Sequence, residues 1–137
     1  MFKKRAQASL EYVLIVGFAL LMLMPLIIIY AMQEEIIRDD VNIIQGKKIV
    51  DSIVDNSEKV RFIGSPSKTT LEVRMPYNVE HINISNDMVL IRLRTSGDFI
   101  DIYRYSKVNL SGEIDNHPGI RKIEITAHDD FVNISSG

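Results

Sequence analysis

Apolar and polar residues follow three successive patterns along this chain. Residues 13–32, VLIVGFALLMLMPLIIIYAM, are twenty positions without a charge. As a helix rising about 1.5 Å per residue they span roughly 30 Å, the hydrocarbon thickness of a bilayer. From residue 33 to about residue 60 there is no proline, and apolar residues recur at helical spacing. Ile36, Ile43 and Val50 fall on one row and Ile37, Val41 and Ile44 beside it, continuing through Ile53 and Val54, with polar residues opposite. The pattern predicts a single helix of some 50 residues, about 75 Å long at the usual rise. Its outer half is amphipathic and is expected to lie on the chain's own head domain, with part of that face open to other subunits. The charged cluster Glu34, Glu35, Arg38, Asp39 and Asp40 marks the exit from the apolar run.

Gly64-Ser65-Pro66-Ser67 breaks the helix, and beyond it the period becomes two. Leu71, Val73 and Met75 alternate with polar residues, as do Ile82 and Ile84, then Val89, Ile91 and Leu93, then Ile123, Ile125 and Ala127. Turn-forming residues separate these runs: Pro76-Tyr77-Asn78, Asn86-Asp87, Ser96-Gly97-Asp98, Asn116-His117-Pro118-Gly119 and His128-Asp129-Asp130. We expect five to seven short strands in a mostly antiparallel meander, because the connections are short. Each strand has one apolar face, so the sheet needs a cover, and the outer half of the helix is the available one. Phe99, Tyr103 and Tyr105 alternate with Ile100 and Ile102, and we assign the aromatic residues to the core, with an exposed contact strip as the alternative. The fold class is therefore α+β. A long N-terminal helix, with a transmembrane half and an amphipathic half, packs on a small antiparallel β-sheet head domain. The expected segments are a basic leader at 1–6, an apolar helix at 7–32, its amphipathic continuation at 33–63 and a β head domain at 64–137.

Charge sharpens the reading of the N-terminus. The net charge of −2 conceals a gradient: Lys3, Lys4 and Arg5 supply +3, and the remaining 13 cations face 18 anions. Cations ahead of a long apolar run keep that end cytoplasmic, so everything after Met32 faces outward. A buried core helix, a cleaved secretory signal and a plain single-pass anchor are the other readings of the run. It is longer than the apolar region of about 7–15 residues found in secretory signals, and its end offers no small-x-small cleavage site. Pro25 removes one helical hydrogen bond, for which a kink or a locally melted turn is the usual consequence. No basic patch remains outside the leader, so no nucleic-acid partner is expected. The chain has no cysteine, which excludes disulfides and thiolate metal sites.

Glu11 stands two residues before the apolar run. A carboxylate buried there without a partner is strongly disfavoured and must protonate or find a cation. A cut between Ala6 and Gln7 would create that cation, because Gln7 would then present a new α-amino group to Glu11 of its own chain or of a neighbour.

A short basic leader (Lys3, Lys4, Arg5), a small residue (Ala6), then Gln7-x-Ser9-x-Glu11-Tyr12 and an unbroken apolar helix resemble the class III signal peptide of archaeal type IV pilins. The motif covers about ten residues and the helix a further twenty. The resemblance implies that a prepilin peptidase at the cytoplasmic face recognises the leader and motif and cleaves between Ala6 and Gln7. It implies a pilin-like fold, and a structural subunit stored in the membrane and then built through its N-terminal helix into an extracellular filament. The implied partners are copies of the chain itself or other pilins, the peptidase, a pilus assembly ATPase with its membrane platform, and lipid before assembly. Gln7 and Glu11 become the assembly residues. The alternatives are an unpolymerised surface-anchored binding module and a minor pilin that primes or tips a filament.

Three Asn-x-Ser sequons, at Asn83, Asn109 and Asn133, exceed the single one expected by chance from eight Asn and fifteen Ser or Thr. Each Asn has apolar neighbours on both sides, which in a strand turns the Asn outward. They are candidate N-glycosylation sites. No enzymatic constellation emerges: His81, His117 and His128 lack metal-ligand spacing, His128-Asp129-Asp130 is assigned to a turn, and no phosphate loop or nucleophile motif is present. We expect no catalysis, no metal and no cofactor.

Overall fold

The computed structural model describes residues 2–137. Met1 of the expected leader lies outside the described residues. One helix, α1 (Phe2–Ile63), is followed by seven strands: β1 (Lys68–Met75), β2 (Val79–Ser85), β3 (Met88–Arg94), β4 (Phe99–Tyr105), β5 (Leu110–Glu113), β6 (Gly119–Ala127) and β7 (Val132–Ser136). The chain divides into two compact units, Met1–Ile37 and Arg38–Gly137.

In the first unit every large apolar side chain in residues 10–32 is exposed, from 39% at Val16 to 71% at Tyr30. The helical assignment passes Pro25 without a break. This stretch is long and apolar enough to cross a membrane and none of it is buried, which is compatible with a membrane-anchored protein.

In the second unit the outer half of α1 packs on a small, largely antiparallel β structure, so the fold is α+β with a long helix and a sheet head. Ile49, Val50, Ile53, Val54 and Val60 are the helix's buried apolar side chains. Their spacing keeps them on one face of a 3.6-residue helix. They join Val73 and Met75 of β1, Val89, Ile91 and Leu93 of β3, Ile123 and Ile125 of β6, and Val132 and Ile134 of β7 in one core. Val50, Ile53 and Val54 follow the expected stripe, and Ile43 packs partly against the core. Ile36, Ile37, Val41 and Ile44 do not enter the core and are 61, 60, 45 and 67% exposed. The helix ends at Gly64, whose φ of +100° suits a left-handed cap that only glycine takes without strain. The Gly64 N–H donates to the Val60 carbonyl at 3.1 Å, and the Ser67 hydroxyl donates to the same oxygen at 2.6 Å.

The strands form two sheets, with orders β1-β6-β7-β5 and β2-β3-β4. The second is the expected meander. The first is not: β1 pairs antiparallel with β6 along its whole length, and β5 pairs parallel with β7. Short connections favour neighbours in sequence, but here β2 to β4 leave as a separate hairpin pair and β6 returns to close on β1. β2 and β5 lie side by side, and the Leu110 N–H reaches the Asn86 carbonyl at 2.6 Å.

The placement of the aromatic residues on β4 corrects the sequence reading. Phe99, Tyr103 and Tyr105 are 48, 56 and 63% exposed, so they lie on the solvent face. Ile102, which packs against the core, and Arg104 turn inward. The strand carries apolar residues on both faces, so alternation alone does not say which one is covered. Gly46 sets how closely α1 approaches this sheet: a Cβ there would sit 3.0 Å from Leu93 Cδ1 and 3.1 Å from Ile102 Cδ1.

Candidate assembly site on the N-terminal helix

All eight residues of the expected recognition and cleavage motif, Lys3, Lys4, Arg5, Ala6, Gln7, Ser9, Glu11 and Tyr12, lie on α1 and are exposed. The Ala6–Gln7 peptide bond sits in regular helix, near its first turn. Helix ends leave their first N–H groups without intrahelical partners and fray readily.

Helical spacing brings Lys4, Gln7 and Glu11 to one face, at i, i+3 and i+7. In the intact chain the nearest cation on that face, Lys4, is two turns from Glu11, about 10 Å along the axis. A cut before Gln7 would remove the leader cations and create an ammonium one turn from Glu11, about 6 Å along the axis. It would also place Glu11 close to the new helix N-terminus, where the macrodipole favours a negative group. Side chains on a helix lean toward its N-terminus, so the Glu11 carboxylate leans toward the position of that amine. No acidic residue occupies the first turn of the uncut helix.

Three polar contacts hold the outer half of α1 to the β2-β3-β4 sheet and its following loop. Asp39 accepts hydrogen bonds from the Ser96 backbone N–H (2.9 Å) and the Ser96 hydroxyl (2.7 Å) in the β3–β4 turn. These donors, the backbone one first, hold its carboxyl below the ordinary value of 3.8. Arg104 reaches from β4 to Asp55 at 2.8 Å and Asp51 at 3.3 Å. The hydrogen bond it donates to Asp55 is the main reason its guanidinium is held more firmly in the charged form, against some loss of hydration. Glu58 accepts from the Lys107 N–H at 3.0 Å. Local periodicity does not reveal these contacts, although one signal is present in the sequence. Arg104 continues the inward row of Ile100 and Ile102, and a cation in such a row requires an anionic partner.

The sequons fall in different surroundings. Asn83 is exposed on β2, Asn109 is exposed just before β5, and Asn133 is half-buried on β7. The Asn109 amide donates to the Asp130 carbonyl at 3.5 Å. The histidines are equally dispersed. His81 lies on β2, His117 contacts Asp115, and His128 stacks on Phe131 at 4.8 Å within the β6–β7 turn. The contact from His117 is the first reason the Asp115 carboxyl is held below its usual value. No group of three or more His, Cys, Asp or Glu able to hold a metal occurs among the described residues. Comparison with protein-family models, with curated proteins and with solved structures gives no match.

Proposed function

We propose that this chain is a type IV pilin-like structural subunit, held in the membrane by residues 7–32 and assembled through α1 into a filament on the cell surface. The observation that carries this reading is the shared helical face of Lys4, Gln7 and Glu11, directly ahead of an apolar stretch whose side chains are all exposed. An exposed apolar helix needs lipid or other helices around it, and a carboxylate at its entrance needs a cation. Removal of the leader by a prepilin peptidase would meet the second need, and bundling of like helices the first. In lipid there is no hydrophobic drive for helices to associate, so close packing and polar pairing must contribute. The Glu11–Gln7 pairing would then set axial register, because a misplaced subunit would bury a lone carboxylate. The work of the protein is assembly with copies of itself or related pilins, driven by an assembly ATPase and its membrane platform, and no step of it is catalytic. Glycans at the sequons would agree with the outward orientation of the head.

Mass spectrometry of the protein isolated from cells tests the cut. A chain that begins at Gln7 is the expected result, and one that retains Lys3 to Arg5 overturns the reading. Glu11→Gln should leave cleavage intact and reduce filament yield at least tenfold, about 1.4 kcal/mol in assembly. Wild-type yield from that variant would refute the pairing. The exposed aromatic strip on β4 favours a second reading, in which the chain is an unpolymerised surface-anchored binding module or a minor pilin at a filament tip. An uncut N-terminus with no fibres seen by electron microscopy would select the anchored module.

A further inference from the structure

The two sheets present solvent faces of different character. The outer face of β1-β6-β7-β5 is polar, with Thr70, Glu72, Glu124 and Thr126 among its residues, and Lys68 bridges Glu124 at 2.7 Å. The outer face of β2-β3-β4 instead carries Met88, Leu90, Tyr103 and Tyr105, with the two tyrosine rings edge-to-face at 5.8 Å. An exposed apolar and aromatic surface of this kind marks a contact site.

What covers it is indicated by register. Asn83 pairs with Leu90, and Leu90 pairs with Tyr103, so the three form one row across the sheet. Ser85, Met88 and Tyr105 form the next row. Both the Asn and the Ser of the sequon Asn83-Ile84-Ser85 therefore border this surface, while Ile84 packs against the core. Strands lie about 4.8 Å apart, which puts Tyr103 roughly 10 Å from Asn83 across the sheet. Of the other two sequons, Asn133 lies between Thr126 and Ser111, and the Asn109 amide already donates to the Asp130 carbonyl.

We propose that Asn83 carries an N-linked glycan and that Leu90, Tyr103 and Tyr105 form the platform on which this glycan lies. Sugar rings have apolar C–H faces that rest on aromatic rings, and hydroxyl edges that seek polar partners. The platform supplies both kinds of partner. Beside it Arg92 and Asp101 form a bidentate pair with both contacts at 2.6 Å, and His81 pairs with Arg92 across the strands. Individually weak contacts suffice, because a tethered ligand is present at high effective concentration. The donor is a lipid-phosphate-linked oligosaccharide. A bond forms between the sugar's anomeric carbon and Asn83 Nδ2 as the sugar–phosphate bond breaks. The lipid phosphate leaves with the bonding electron pair, and the amide gives up one proton.

This inference rests on the outward orientation of the head in the proposed function, and the two fail separately. The full chain is isolated from membranes of a host that modifies Asn-x-Ser sequons, and tryptic peptides are weighed. Residues 75–92, bounded by Arg74 and Arg92, contain no other sequon. A glycan mass on this peptide is expected, and a bare Asn83 overturns the proposal. Thermal unfolding then tests the platform. Asn83→Gln should lower Tm by several degrees in the otherwise unchanged protein and leave it unmoved when Tyr103→Ser and Tyr105→Ser are already present. Equal drops in both backgrounds refute the platform. A mature chain that begins at Gln7 with Asn83 bare defeats the glycan and spares the filament. An uncut chain with Asn83 occupied and coupled to the tyrosines does the reverse.

Discussion

Gly112 illustrates how one position can fix a strand pairing. Its φ of +131° is a conformation that side chains rarely adopt, and a Cβ built there would sit 1.8 Å from the Ile134 carbonyl oxygen. The neighbour is backbone of β7, which cannot move without breaking the β5–β7 ladder. Gly112→Ala should cost about 3 kcal/mol or more, seen as a shift in the urea midpoint with β5 losing amide protection in hydrogen exchange. A Gly97→Ala control has open space around it and a backbone that needs no positive φ, and it should leave the midpoint unchanged. Gly46 is a milder case, because its close neighbours are the flexible ends of Leu93 and Ile102. None of this was legible in the sequence, where Gly112 sits in an unremarkable Ser-Gly-Glu and Gly46 interrupts a helical pattern. A glycine announces freedom, whereas the close approach it permits depends on which strand becomes its neighbour.

At the scale of elements, local periodicity carried most of the information and partner choice carried the remainder. The helix-to-strand switch at Gly64 and the β2-β3-β4 meander follow from spacing and turn chemistry near in sequence. The pairing of β1 with β6 joins residues some fifty positions apart, and no local pattern encodes it. The face of β4 was misread for a related reason, since Ile100 and Ile102 compete with Phe99, Tyr103 and Tyr105 for the core. In the structure Ile102 packs against the core beside Gly46, and Arg104 in the same row meets Asp51 and Asp55 on α1. Three carboxylate contacts, only one of them between α1 and the sheet, also set a pH response. Asp39, Asp101 and Asp115 all have carboxyls held below the ordinary 3.8, by Ser96, Arg92 and His117 first, respectively. A depressed folded value means that the stabilisation is present above the unfolded value and is lost as pH falls through the folded one. Tm should therefore decline as pH is lowered from about 5 to about 3. Asp39→Asn should lower Tm at neutral pH and flatten part of that decline. An unchanged slope in this variant would show that the Ser96 contact is not coupled to folding.

For the whole molecule, the two compact units have different physical requirements. Residues 38–137 hold the entire buried core, including the helix residues Ile49 to Val60 and both sheets. Residues 10–32 contribute nothing to that core and expose their apolar side chains throughout. The motif at the front of the chain was readable because charge, small residue, carboxylate and apolar run are consecutive. Its consequence was not, because the amine proposed to pair with Glu11 exists only after a covalent change and among several molecules. The division predicts that a chain beginning at Arg38 folds alone. It should be soluble without detergent, monomeric by sedimentation, and should unfold in one cooperative transition, as expected for a domain of about 100 residues. Val41, Ile44, Phe62 and Ile63 of α1 and the aromatic residues of β4 stay exposed in this fragment. If the fragment is molten or aggregated, the membrane-side half of α1 is needed to order the head. The head and the apolar half of α1 would then be one folding unit.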